Sequence, residues 1–463
     1  MKKGVFIIGA LIIIILSLST IINESKKEIV APTPFSVKDE TNKVSDTTIE
    51  GIETNASPYK VYVWGNNDFG QLGLTSMPKD TPEPFSVPTE VVTIASGETH
   101  TAYLSPEGDV YTWGANELHE LGRPETEVYN LPNKVKGLPK ISSLATTYRH
   151  VLALANNGTV YAWGSNYTGQ IGDGTNENAR SPKKVQGLPS SIVEVATGYK
   201  FSLARTNDGS VYAWGALCAP YNDRVAQNFA ANLKQSASGY YDPIVAPRVK
   251  ATLEEDCKNE NVVGILSRVP KKISVTDIVQ MSAGYGHALF LKNDGTVWSF
   301  GCNLYGQLGN RGTTNAPTNS LILQVPDLEN VKMVAAGFRH SLALTNDGSV
   351  YMWGGTAKDM GDDARILKNK EIVKITSLKN IKAVYAGKDY SLALSNDGIL
   401  YAGKDYSLAL SNDGILYGWG NNTNQILSKS DKKIISAPVA LNLPGSLQAI
   451  GTGNNFLVAV TKQ

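Results

Sequence analysis

One phrase recurs seven times along the chain, and it limits the fold more than any other feature. It reads VYVWGNNDFGQLG at 61–73, VYTWGANELHELG at 110–122, VYAWGSNYTGQIG at 160–172 and VYAWGALC at 211–218. It returns as VWSFGCNLYGQLG at 297–309, VYMWGG at 350–355 and LYGWGNNTNQIL at 416–427. The aromatic residue before glycine falls at Trp64, Trp113, Trp163, Trp214, Phe300, Trp353 and Trp419, in steps of 49, 50, 51, 86, 53 and 66 residues. A period near 50 means one supersecondary unit copied along the chain, each copy burying its apolar face against the next.

Within a unit the pattern is that of short strands. Residues 331–354, VKMVAAGFRHSLALTNDGSVYMWG, give a strand ending at AAG, a short turn and the strand HSLAL, which has Leu342 and Leu344 on one face. NDG then supplies a hairpin turn, because Asn, Asp and Gly tolerate positive φ. VYMWG follows, and a proline-containing stretch leads to the next unit. Four short antiparallel strands per unit make a propeller blade. The C-terminus, LQAIGTGNNFLVAVTKQ, is the first half of a unit, and KVYVWGNNDFGQLG near residue 60 is the second half. Joined, they complete a seventh blade and leave no open sheet edge between first and last. The predicted fold is therefore all-β: a seven-bladed propeller over 59–463, closed by its N- and C-terminal strands. With 42% apolar residues and 43 glycines, the composition suits many short strands and tight turns.

Two steps break the period. The step of 66 contains a perfect tandem duplication, YAGKDYSLALSNDGIL at 385–400 and again at 401–416, and returns to 50 without it. One copy suffices for the sixth blade, so the other is expected as an extra hairpin bulged from that blade, or packed there in competition with its twin, with a weakly specified register. Identical copies show no specialisation, and the duplication is expected to carry no role of its own. The step of 86 holds a loop insertion at 216–268. A loop of that length is functional or disordered. Cys218 and Cys257 lie in it, and Cys302 begins the equivalent loop of the next blade. Three pairings are open; the expected disulfide is Cys218–Cys257, within the segment that most needs a staple.

The N-terminus reads as an export element. Lys2 and Lys3 precede Val5–Ile22, eighteen residues without a charge, long enough to cross a bilayer as a helix. Residues 1–22 are expected to be a signal-anchor, or else a cleaved signal peptide, and 23–58 a flexible linker. The rest then lies outside the cell membrane, anchored to its extracellular face or secreted, with membrane contact through this segment only.

The recurring AxG-x-x-H-S-L-A-L, the DG turn, VYxWG and NxxGQLG together resemble the regulator of chromosome condensation repeat family, over nearly all of 59–463. The resemblance implies the propeller fold strongly and function weakly. The founder of that family is a nucleotide-exchange factor for a nuclear GTPase and binds chromatin, partners that an exported chain does not meet. A bacterial secreted relative caps and inhibits beta-lactamases with one face, which supports protein binding as a class.

Antiparallel alternation sorts the connections onto two faces: AxG-x-x turns and post-WG loops on one, NDG turns on the other. On the first face four consecutive blades carry an aromatic in the turn, giving Tyr148-Arg149, Tyr199-Lys200, Tyr285 and Phe338-Arg339. Exposed aromatics beside cations are what binding anchors look like, so these seven residues are the candidate partner-binding set. His100, His150, His287 and His340 share one position that Phe201, Tyr390 and Phe456 fill in other blades, which points to packed rings and not to ligands. His119 stands alone where GQLG has glycine. The NDG aspartates offer one carboxylate per hairpin, too few for calcium. No catalytic residue, metal site or cofactor is expected. The formal net charge of +1 gives no footprint for nucleic acid. The function expected is that of an exported, monomeric scaffold binding a protein or a cell-wall macromolecule. An extracellular enzyme acting on polysaccharide or peptide is the alternative, and an exchange-factor-like regulator a more distant one.

Overall fold

The structure is a computed structural model. It describes residues 59–462, apart from 66, 68–69, 74–78, 125–128, 217–264, 304, 310–317, 338–339, 355–370, 375–380, 387–390, 396–399, 403–405, 411–415, 422–433, 441–442, 444–445 and 453–455. The expected N-terminal helix and linker, most of the insertion, and Cys218, Cys257, Phe338 and Arg339 lie outside the described residues. No helix among the described residues is long and apolar enough to cross a membrane.

The described residues are all-β, with every described sheet antiparallel. The second blade shows the plan. Its strands Ile141–Thr146, His150–Ala155, Val160–Gly164 and Ala179–Lys184 lie side by side in chain order, from the first strand to an outer edge. The first, third, fourth and fifth blades repeat it over 93–134, 192–272, 278–324 and 331–374. Hairpin register is constant: Leu154 faces Val160, Leu291 faces Val297 and Leu344 faces Val350. Closure is as expected. Tyr59–Gly65 pairs with Phe456–Lys462 from Tyr59 opposite Lys462 to Gly65 opposite Phe456, in one sheet with Lys79–Phe85 and Ser446–Thr452.

The sixth unit departs from the expected seven sheets. The described residues form eight, six of four strands and two of three. One three-stranded sheet is Ile381–Ala386, Ser391–Ser395 and Leu400–Ala402; the other is Tyr406–Leu410, Leu416–Asn421 and Ile434–Ala440. The duplication is the cause. Where its copies meet, the sequence reads ILYAG, close to the VYAWG of a third strand. Tyr385-Ala386 ends a first strand, while the same dipeptide at Tyr401-Ala402 serves as a third. Both hairpins keep one register, Leu394 opposite Leu400 and Leu410 opposite Leu416. So the extra residues build a second partial sheet and not a bulged hairpin.

Neighbouring blades are locked by a repeated polar clasp. The indole N–H of Trp113, Trp163, Trp214 and Trp353 donates to the backbone carbonyl of Gln71, Glu120, Gln170 and Gln307 in the preceding blade, at 2.8–2.9 Å. Ser202 and Ser341 hydroxyls donate to the Gln170 and Gln307 carbonyls, at 2.8 Å each. His150 and His287 of the preceding blades approach those hydroxyls through Nε2 at 3.0 and 2.8 Å. A hydroxyl has one proton, already given to the carbonyl, so the ring donates from Nε2–H. Burial pushes these histidines down to about 3. The shared histidine position is thus structural.

Candidate functional site

The candidate face is built by local rules that the repeat fixes. After Trp113-Gly114, Trp163-Gly164, Trp214-Gly215 and Phe300-Gly301, a backbone N–H closes onto the AxG-x-x turn: Ala115 to Thr99, Ser165 to Arg149, Ala216 to Lys200 and Cys302 to Gly286, at 2.8–2.9 Å. Turns and post-WG loops therefore meet on one face, as antiparallel alternation requires. The glycine itself is forced. Gly164 has φ 99°, and a Cβ there would lie 2.5 Å from the Arg149 carbonyl oxygen. The following loop is folded by its own polar side chains. Asn67, Asn116, Asn166 and Asn303 each accept from the backbone N–H five residues on, at 2.9–3.0 Å. His119 takes the place of a positive-φ glycine with φ 66°, so it is a loop substitution.

Three of the predicted anchors come together. The Tyr148 and Tyr199 rings stand edge to face, 4.1 Å between centroids, and Tyr199 stacks on Tyr285 at 4.0 Å with 19° between planes. All three are half-buried. Backbone bonds fix the row, with Glu98 N–H on the Tyr148 carbonyl, Tyr199 on Tyr285 and Tyr285 on Gly337. Lys200, also half-buried, places its ammonium 5.2 Å from the Tyr199 ring centre. Burial, and then the adjacent Tyr199, hold the Tyr148 phenol well above the ordinary tyrosine range.

Arg149 departs from the expected exposed cation. It is only 6% exposed. Its guanidinium lies 3.2 Å from Glu98, 3.3 Å from Glu120 and 3.7 Å from Glu117. The reason sits in another blade. Glu120 stands where the repeat has the glutamine of GQLG. Like Gln170 and Gln307, it accepts from a backbone N–H two residues before, at 2.8 Å, and its other oxygen meets Arg149. Burial pushes Glu120 up to about 7 against the pull of Arg149. Arg149 thus belongs to the support of the tyrosine row and not to its exposed surface.

Cys302 is disulfide-bonded. The expected Cys218–Cys257 pairing falls on residues outside those described. The NDG aspartates do turn chemistry: Asp294 and Asp347 accept from backbone N–H groups two residues on, at 2.9 and 3.0 Å. Among the described residues no three His, Cys, Asp or Glu side chains are arranged to hold a metal ion. Among the described residues this row offers ring surface, phenol hydroxyls and the Lys200 ammonium.

Repeated antiparallel sheets, closed by pairing of the first strand with the last, define the class as a β-propeller. Residues 60–104, 107–154, 157–205 and 294–344 match the regulator of chromosome condensation (RCC1) repeat, and a second description of that repeat matches 91–119, 141–170, 278–307 and 400–425. Together these matches span more than half of the sequence, and the chain belongs to the RCC1 repeat family. It is 28% identical over 363 residues to the ultraviolet-B receptor UVR8 of Arabidopsis thaliana, 73% of this chain and 71% of that one. It is 25% identical over 336 residues to the guanine nucleotide exchange factor SRM1 of Saccharomyces cerevisiae, 69% of this chain but 59% of that protein. Among solved structures, yeast RCC1 (Prp20) bound to Kap60 superposes with a TM-score of 0.64 at 21% identity, covering 94% of this chain and 97% of that one. Human WBSCR16 gives 0.63 at 19%, covering 88% and 99%. These likenesses establish the fold.

Proposed function

We propose that the chain is a cell-surface interaction propeller that binds another protein through the face carrying Tyr148, Tyr199 and Tyr285. The observation that carries this reading is the continuous tyrosine row, half-buried, pinned by backbone bonds and accompanied by Lys200. Tyrosine gives a large amphipathic contact area at small conformational cost, and rings already held in place lose little freedom on binding. The Kap60 complex of yeast RCC1 supports protein binding as a class for such a ring. Display outside the membrane rests on Lys2, Lys3 and the uncharged Val5–Ile22. On this reading the nuclear exchange activity of the fold's eukaryotic members does not carry over.

The test is capture of partners from the surroundings of the producing cell, followed by measured affinity for the partner identified. A variant with Tyr148, Tyr199 and Tyr285 changed to Ala should bind that partner at least about thirtyfold more weakly, the scale of a hot-spot cluster. Unchanged affinity in a variant that melts like the parent overturns the proposed face.

A further inference from the structure

The duplicated stretch leaves one strand of the sixth unit with half of its pairing. In each four-stranded sheet the second strand of the repeat is paired on both sides, as His150–Ala155 is with Ile141–Thr146 and Val160–Gly164. Among the described residues Tyr406–Leu410 is paired only with Leu416–Asn421, because its sheet holds no first strand. An uncovered strand edge is a template for further pairing.

A strand that fits this edge is already in the chain. Ile381–Ala386 pairs with Ser391–Ser395, placing Val384 opposite Ala393, Tyr385 opposite Leu392 and Ala386 opposite Ser391. Residues 391–395 and 407–411 are both SLALS. Moving the partner by the length of the duplication puts Val384 opposite Ala409, Tyr385 opposite Leu408 and Ala386 opposite Ser407. Each pair is kept in kind, so sequence does not choose between the two partners. The first strand, by contrast, is fixed. Val384 is 1% exposed, and its N–H reaches the Met333 sulfur of the fifth blade at 3.4 Å. The residues that would replace Ile381-Lys382-Ala383-Val384 after a shift of the first strand are DGIL at 397–400, which open with a turn pair. The second strand is therefore the one free to alternate.

We infer that the sixth unit alternates between two arrangements, in which 381–386 pairs either with 391–395 or with 407–411. In the second arrangement 381–386, 406–410, 416–421 and 434–440 form one four-stranded blade. The short ladder of Leu392, Ala393 and Leu394 against Leu400, Tyr401 and Ala402 is given up, and the open edge of Tyr406–Leu410 is covered. Residues 387–405 then connect the first strand to the second. That connection is the AxG-x-x turn of the other blades, so the change lengthens a loop on the face of Tyr148, Tyr199 and Tyr285. The inference concerns pairing alone and stands whether or not that face binds a protein.

The experiment uses the purified full-length chain carrying V384C, A393C and A409C together, oxidised in a glutathione buffer so that bridges equilibrate. Trypsin separates the three positions into 383–388, 389–404 and 405–429, so mass identifies each bridge. Position 384 should be bridged to 393 in some molecules and to 409 in others, the rarer form at about one part in a hundred or more. A rarer form below that level, or one that appears only in denaturant, overturns the inference. Hydrogen exchange on the unsubstituted chain reads the same alternation without new cysteines. Amides of 391–395 and 407–411 should both exchange at least about tenfold faster than those of 150–155. Removing 401–416 should slow the remaining copy to the rate of 150–155. Full protection of 391–395 in the complete chain overturns the inference, as does a remaining copy that still exchanges fast after the deletion.

Discussion

The second blade and the sixth unit follow the same repeat pattern and fold differently. In the second blade, the first strand, the two-strand hairpin and the edge strand join in one sheet, and Trp163 ties it to the carbonyl of Glu120 in the blade before. In the sixth unit, sixteen duplicated residues divide the same four roles between two sheets of three strands. Local sequence governs hairpin register in both places, since Leu154 opposite Val160 and Leu394 opposite Leu400 follow one rule. The assignment of strands to sheets is not local. It depends on which segment is next available in the chain, and a duplicated segment is available twice.

The largest test of this contrast is removal of the indole. Trp163→Ala opens a cavity and strands the Glu120 carbonyl, and should cost about 3–5 kcal/mol in chemical denaturation. Trp419 holds the same place in the repeat; if the divided unit is the weaker region, Trp419→Ala should cost less than half as much. Equal losses would erase the distinction.

Acid should expose the regular blades next. His100, His150 and His287 stay neutral when folded, down to about 3, whereas the unfolded chain takes up protons near 6.5. Their contribution is complete above pH 6.5 and is lost as pH falls from there toward 3, by about 1.4 kcal/mol per histidine per pH unit. His150→Phe, imitating Phe201 of the next blade, should remove one proton from that slope when stability is measured from pH 7 to 4.

Glu120→Gln restores the amide of the other blades at the one buried acid in that position. Glu120 binds its proton more tightly folded than unfolded, so its favourable contribution exists below about 4.5 and disappears as pH rises through about 7. The variant should be less sensitive to pH between 5 and 8. At pH 8 it should differ from the parent by no more than about 1 kcal/mol, because Arg149 keeps Glu98 and Glu117.

The smallest expected effect is the most informative. Deleting 401–416 leaves one first strand, one hairpin and one edge strand, enough for a single four-stranded sheet. The melting temperature should hold or rise. A fall of more than about 2 °C, on the order of 1 kcal/mol, would show that the second partial sheet stabilises the ring.

Much of this was legible in the residues because repetition multiplies a weak signal. A single VYxWG says little, but seven at a period near 50 determine a ring, and half-units at the two ends determine its closure. The histidines were legible because other blades put Phe at their position. Other features depended on partners remote in sequence. The clasp joins tryptophan to a backbone carbonyl, and carbonyls look alike in every sequence. Arg149 reads as a surface cation until Glu120, from another blade, is placed 3.3 Å away. The ILYAG junction was visible but ambiguous, because Tyr-Ala suits a first strand and a third strand equally.

The pairing of Tyr59–Gly65 with Phe456–Lys462 has a consequence in time. An early segment must find one made almost four hundred residues later, so on a ribosome working at about 5–20 residues per second it waits on the order of tens of seconds with a strand edge uncovered. During that interval the growing protein is an arc, and the edges at its ends are open to any extended chain nearby. Substitutions that slow the closing step should therefore reduce yield during synthesis more than they reduce the stability of the finished molecule.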